Sequence, residues 1–276
     1  MLGLRLVHPL GALLRAASLS RSTFYYHAAQ AGLVPANDLT ERIKQVYHQH
    51  RGRYGYRRIT LALRREGLLV NHKAIQRRMQ AAGLKSLVRP KRYQSYRGDA
   101  ATRIENVLAR DFRATQPNQK WVTDITEFKV GQEKLYLSPI MDLYNGEIIA
   151  YQMSQRPQFK LVETMIKTAL QEVRSAKPIL HSDQGWQYQM RQYQKLLTAN
   201  GLKQSMSRKG NCLDNAAMES FFAVLKSEYF HLNTFKNIAQ LKAGLKRYIH
   251  YYNHERIKVK LKGLSPVEYR TQPLLA

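Results

Sequence analysis

Cysteine is almost missing from this 276-residue chain. Cys212 stands alone, which excludes an internal disulfide framework and any multi-cysteine zinc site, makes a reducing cytoplasm the default compartment, and leaves the thiol as a small packing residue. No apolar run approaches the ~18 residues needed to cross a bilayer. The mildly apolar start, Met1 to Leu14, is interrupted by His8 and Pro9 and followed at once by Arg15. It reads as a packed first helix rather than a signal peptide. Acidic residues are scarce too: 19 Asp and Glu face 45 Lys and Arg, a formal net charge of +26. The imbalance is concentrated at the front, where residues 1–97 hold 19 basic and 3 acidic side chains and residues 98–276 hold 26 and 16. A basic front end on a more balanced body suggests a nucleic-acid grip attached to something else. The hydrophobic fraction of 44% is that of a folded chain with a sizeable core.

Two helical regions occupy that basic front. In residues 10–30, Ser18–Ser20 forms a turn between two short helices, with Ser20 placed to cap the second. In residues 39–86, Leu39, Ile43, Val46 and Tyr47 recur at helical spacing, and Arg51–Tyr56 reads as a turn. A second helix follows with Ile59, Leu61, Ala62 and Leu63 as its buried side, closed by Gly67. Asn71 caps a third, with Ile75 and Met79 inward and Lys73, Gln76, Arg77 and Arg78 largely outward. Three short helices ending in one that presents Arg and Gln match a helix-turn-helix docking in the major groove. A helical bundle with a solvated basic face stays open as the alternative. Division into 1–35 (short helical segment), 36–87 (helix-turn-helix), 88–117 (basic linker) and 118–276 (core) follows.

The texture changes at Lys120. Trp121–Val130, Lys134–Asp142 and Ile148–Gln152 are rich in β-branched and aromatic residues, and Gly131 and Asn145-Gly146 supply turns. An antiparallel meander is predicted, then a helix near 160–174 and a strand over 178–182. A helix near 188–200, a strand over 203–207, and helices near 214–230 and 237–256 complete it. Such an order gives a mixed α/β sheet flanked by helices. Asp124 falls mid-strand, in phase with Val122, Phe128 and Val130, where a carboxylate needs a partner, a metal or a raised pKa. Asp183 ends a strand, and Glu219 lies on a helix with Lys226 seven residues on, about 20° round the same face. Hard oxygen ligands from separate elements suit Mg²⁺ or Mn²⁺. Spacing alone leaves Asp142, Glu147 and Asp214 open as other members. Ser182 between His181 and Asp183 is not a hydrolase triad, because strand neighbours point to opposite faces. Trp186 and Tyr188 suit either base stacking or core packing.

Three segments taken together carry a resemblance: Trp121-Val122-Thr123-Asp124, His181 to Tyr188, and Asp214 to Phe222. They resemble the transposase core of bacterial insertion sequences, the OrfB product of the IS-three family above all. Residues 184–218, 35 in number, separate Asp183 from Glu219, the spacing for which that family's Asp-Asp-Glu pattern is known. Lys226 matches its trailing basic residue, Ser205–Asp214 and Tyr251–Pro266 agree, and Arg53–Ile59 resembles the helix-turn-helix before the core. The resemblance implies a ribonuclease-H-like fold from about residue 118. It also implies Asp124, Asp183 and Glu219 as ligands of two Mg²⁺ or Mn²⁺ ions, water-mediated release of a 3′-hydroxyl at an element end, and attack of that hydroxyl on another phosphodiester. DNA is the expected partner, with Lys226, Arg208, Lys209, Lys73, Gln76, Arg77, Arg57 and Arg58 as contacts, in a nucleoid-associated bacterial setting.

Two other classes remain as alternatives: a non-catalytic DNA-binding regulator derived from a transposase, and a plain ribonuclease-H-type nuclease. In the family the active enzyme is usually a frameshift fusion of an upstream OrfA segment, with a coiled coil, to OrfB. No sustained heptad repeat is present here, so OrfA, or the fusion, is an expected partner and a multimer on DNA the expected state.

Overall fold

The computed structural model describes residues 9–30, 36–88, 105–109, 111–173, 177–207 and 215–272. The chain forms two compact units, residues 1–86 and 87–276. In the first, α1 (Leu10–Ala16) and α2 (Arg21–Gln30) flank a turn in which Ser20 Oγ accepts the Thr23 amide at 3.1 Å. Then come α3 (Ala36–Gln49), α4 (Tyr56–Arg65) and α5 (His72–Ala81). Their apolar spacings converge on one small core of Leu39, Ile43, Val46, Tyr54, Ile59, Leu63, Ile75 and Met79. Thr60 is buried on α4, whereas Leu61 and Ala62 are half-buried. Tyr54, fully buried, stacks on His50 with centroids 3.8 Å apart, and the Arg58 guanidinium lies 5.4 Å from its ring. Arg64 holds the α4–α5 turn through Val70 O at 2.9 and 3.1 Å, and Asn71 Oδ1 accepts the Lys73 amide at 2.9 Å.

The second unit is built on a six-stranded sheet. Its strands are β1 (Lys120–Thr123), β2 (Thr126–Val130), β3 (Glu133–Asp142), β4 (Ile148–Ser154), β5 (Ile179–Ser182) and β6 (Lys203–Met206). β1 and β2 both pair antiparallel with β3, β4 pairs with the far edge of β3, and β5 and β6 continue parallel from β1. Helices cover both faces: α6 (Phe159–Glu172), α7 (Trp186–Gln189) and α8 (Arg191–Ala199) on one, α9 (Ala216–Glu228) and α10 (Ile238–His254) on the other. The period-two alternation of a strand separates the two cores. Trp121 packs with Val162, Ile166, Tyr193 and Leu197, while its neighbour Val122 packs with Phe221, Leu225, Leu245 and Ile249. A last helix, α11 (Pro266–Thr271), starts with a capping box of Ser265 and Glu268. Its Arg270 reaches the buried Asp142 and Glu147.

Three features depart from expectation. Trp121–Val130 is not one strand. Thr123 faces Ile140 and Thr126 faces Leu137 in a single continuous register, but the ladder stops between them, where Asp124 and Ile125 face Pro139 and Ser138. Proline has no amide hydrogen to give to a ladder, and the Ile125 amide turns to Asp124 Oδ1 at 2.6 Å. The helix expected near 188–200 is two helices, broken at Met190, whose ψ of 138° is extended. Finally, Leu108, within the expected linker, is buried, and its amide donates to Ser205 Oγ at 3.1 Å, so contacts with the sheet begin before residue 118.

Where α10 crosses the end of α9, space is limiting. A Cβ on Gly244 would lie 1.5 Å from the Tyr229 hydroxyl oxygen and 2.6 Å from Cζ. Overpacking costs about 1–3 kcal/mol, more than the ~1 kcal/mol that alanine gains over glycine in a helix. Gly244→Ala should therefore unfold at lower urea concentration than the wild type. An unchanged midpoint would mean that Tyr229 does not occupy this contact.

Candidate active site

Parallel pairing of β1 with β5 brings two carboxylates together. Val122 is in register with His181, so Asp124 and Asp183 leave the ends of neighbouring strands side by side. Each is fixed by a backbone amide just beyond it: Asp124 Oδ1 accepts from Ile125 at 2.6 Å and Asp183 Oδ1 from Gly185 at 2.9 Å. A Cβ on Gly185 would come within 3.1 Å of Asp183 Oδ1, so glycine lets the chain turn tightly under that oxygen. Behind Asp183 the strand is fastened to β6. The buried His181 meets Ser205 Oγ at 2.8 Å and Ser207 Oγ at 3.1 Å, and the Ser207 amide donates to Ser182 O at 2.9 Å. His181 thus serves β6, and Ser182 Oγ donates to Asp183 O, as expected of residues that form no hydrolase triad.

Glu219 arrives from α9, on the other face of the sheet, and Lys226 stands two turns further along the same helix. Lys226 Nζ lies 5.4 Å from the Phe128 ring centroid. Burial, then the charge of Asp183, then that of Glu219, push the Asp124 carboxyl up from its ordinary 3.8 to about 7, against the pull of the Ile125 amide and Lys226. Burial also raises Asp183 and Glu219. The acids thus sense one another, yet among the described residues no three His, Cys, Asp or Glu side chains stand close enough to form a ready metal cage. Asp124 and Asp183 open on a cleft of about 250 Å³ whose lining includes Glu127, Trp186 and Tyr188 but not Glu219. The donor set itself, three oxygen acids gathered with more negative charge than their neighbours offset, is one that fits a hard divalent cation.

Trp186 and Tyr188 separate here. Trp186 is 55% exposed at the cleft, whereas Tyr188 is fully buried beside Tyr193, ring centroids 5.4 Å apart. Glu127 is an acid of the cleft that patterning missed, because an exposed strand position facing Lys134 at 3.1 Å looks like an ordinary surface pair. Asp142 and Glu147 are occupied by Arg270 instead, and Asp214 lies outside the described residues, as do Arg208, Lys209 and Cys212. In the first unit Lys73 and Arg77 are exposed on α5 and Gln76 is half-buried. On α4 Arg57 is exposed, and Arg58 is half-buried against Tyr54.

The Asp124 shift has a consequence for stability. Between pH ~4 and ~7 the folded metal-free protein holds a proton that the unfolded chain has released, so stability falls as pH rises through that window. Asp124→Asn removes the penalty. Melted in the presence of a chelator, it should exceed the wild type in melting temperature at pH 8 and match it near pH 4. Equal melting temperatures at pH 8 would show that the carboxylate cluster carries no strain.

Two families described as "Integrase core domain" match residues 114–212 and 219–274, and one described as "HTH-like domain" matches residues 35–92. The chain is 56% identical to a protein of Escherichia coli K12 named as transposase InsK for insertion sequence element IS150, over 98% of this chain and 96% of that one. It is 36% identical to transposase InsF for insertion sequence IS3A of the same organism, over 80% and 78% of the two chains. In fold it is similar to a chain of the simian T-cell lymphotropic virus intasome, solved with the PP2A regulatory subunit B56 gamma. That match has a TM-score of 0.53 at 17% identity and covers 85% of this chain and 76% of the other.

Proposed function

The chain belongs to the IS-three family of insertion-sequence transposases, and from that premise we propose that Asp124, Asp183 and Glu219 are the acids with which it cuts and joins DNA. It is a DNA transposase with an integrase core, an enzyme that transfers polynucleotide strands. The observation that carries the assignment to these three is the crowding of carboxylates around Asp124, whose own proton is held to about pH 7 by burial and by its neighbours.

The acids would hold Mg²⁺ or Mn²⁺, two ions in the usual arrangement for this reaction. Bound there, such ions supply activation of a water or a 3′-hydroxyl and charge stabilisation at the leaving oxygen of an in-line phosphodiester displacement. The chain's part is to orient and to exclude. Amide donors at Ile125 and Gly185 fix one oxygen of each aspartate. The second oxygen of each has no hydrogen-bond partner among the described residues and is the one open to a ligand. Lys226, close enough to influence Asp124, is suited to hold a DNA phosphate near the acids, and Arg208 and Lys209 would extend that contact. Hydrolysis at an element end frees a 3′-hydroxyl. That hydroxyl attacks a second phosphodiester, forming a new P–O bond as the bond to the attacked strand's 3′-oxygen breaks and that oxygen leaves as a hydroxyl. One phosphodiester thus replaces another with no covalent enzyme–DNA intermediate.

End recognition we assign to residues 36–87, where α5 offers Lys73, Gln76 and Arg77 to the major groove and α4 offers Arg57 and Arg58 to phosphates. Residues 1–35 supply a short helical segment, 88–117 a basic connection that already packs on the core at Leu108, and 118–276 the rest of that core. An OrfA segment, separate or fused, would supply multimerisation on DNA in the bacterial cytoplasm. Labelled element ends incubated with Mg²⁺ or Mn²⁺ test the reaction, using this chain alone and fused to its upstream frame. Joined products establish it. Binding without joining in both forms would leave a DNA-binding regulator, and degradation without joining a nuclease.

A further inference from the structure

The third acid is carried by a helix on the far side of the sheet from α6 to α8, and something must set its distance from the first two. The parallel ladder of β1 and β5 has its last pair at Val122 and His181, one residue short of Thr123. The carbonyl of Thr123, immediately before Asp124, is met instead by a side chain: Asn215 Nδ2 donates to it at 3.1 Å. Asn215 is the residue from which α9 starts, and it is 4% exposed. Asparagine at such a position ordinarily caps its own helix. Here it makes no capping bond, and its amide is spent on the strand. Its Oδ1 is buried with no hydrogen-bond partner among the described residues. A buried unsatisfied acceptor is destabilising, so fold stability alone does not explain an amide here.

Position does explain it. Glu219 lies four residues after Asn215, one turn along the same helical face. A short rigid path therefore runs from Asp124 through the Thr123 carbonyl and the Asn215 amide, and up one turn of α9 to Glu219. Resting on the assignment of the three acids above, we propose that Asn215 is a positioning residue. It registers α9 against the end of β1 and so sets Glu219 opposite Asp124 for divalent-cation binding.

The test compares wild type, Asn215→Leu, Asn215→Ala and Asp183→Asn in the full chain. Mn²⁺ is titrated by calorimetry, and melting is followed with and without the ion. Leucine keeps the number and branching of asparagine's side-chain heavy atoms, at a larger volume, and removes the orphaned acceptor; Asn215→Ala controls for that extra bulk. Asn215→Leu should melt without metal at least as high as the wild type, yet bind Mn²⁺ about 10-fold or more weakly, the range for residues that orient ligands. Its strand joining should require correspondingly more Mn²⁺ and recover at saturation. Mn²⁺ affinity equal to wild type in Asn215→Leu overturns the proposal. So does a loss of affinity that in both Asn215 variants only follows loss of the folded state. Asp183→Asn separates the two levels: if it still binds Mn²⁺ like the wild type, the assignment of the acids fails, not merely the role of Asn215.

Discussion

Asp183→Asn is expected to lower strand joining by about 10³-fold or more, a loss of ~4 kcal/mol of transition-state stabilisation at 1.36 kcal/mol per tenfold. The substitution is nearly isosteric. Its side-chain oxygen can still accept the Gly185 amide now bound by Asp183 at 2.9 Å, so the β5 end and the turn into α7 should keep their shape. What disappears is one negative charge from a pair set side by side by the β1–β5 register. Asp124→Asn, whose oxygen can keep the Ile125 amide, and Glu219→Gln should fall similarly. Acids that hold ions jointly act as a unit, so double variants should lose little beyond the singles. Initial joining rates on labelled ends, with circular dichroism confirming the fold, decide the matter. Asp183→Asn within tenfold of wild type would remove it from the reaction.

The second large effect concerns folding. Glu228 and Arg256 are almost completely buried and joined by two bonds, Nε to Oε2 at 2.8 Å and Nη2 to Oε1 at 2.6 Å, and the Tyr248 hydroxyl adds a third to Oε2 at 3.0 Å. Removing one partner of such a pair strands the other charge in an apolar core, at about 3–5 kcal/mol. Arg256→Met should therefore fall steeply in denaturant midpoint. Glu228→Leu combined with Arg256→Met should recover much of the loss, because desolvation of both charges vanishes together. A single variant as stable as the wild type would show that the pair is hydrated in solution. The site has a stake in this bond, since Glu228 ends the helix that bears Glu219.

Much of this architecture could be read from residue order because it rests on local periodicity. Leu39, Ile43, Val46, Ile75 and Met79 all turn inward as their spacing demands, and the acid on β5 stands at the strand end expected. The misreadings have a common origin in groups distant along the chain. The interruption at Asp124 falls opposite Pro139, on another strand, and the Leu108 amide is held by Ser205, nearly a hundred residues away. α11 is too short, at six residues, to show a periodicity, although Ser265, Pro266 and Glu268 spell a helix start. Of the acids, Glu219 needed the family pattern, because nothing in a helix-borne glutamate distinguishes it from a solvated one.

Pro139 gives the interruption a different meaning. β3 has neighbours on both edges, a place where an imino acid is ordinarily excluded. An amino acid with a full backbone donor would let the hairpin zip without a gap, and the sheet would be sturdier for it. The loosened stitch falls at Asp124 itself, which faces the proline, and leaves its backbone carbonyl without the donor that an ordinary amino acid would offer. Durability gives way at one pyrrolidine ring beside a reactive carboxylate, and a designer seeking a hardier scaffold would first be tempted to repair a residue that faces Asp124.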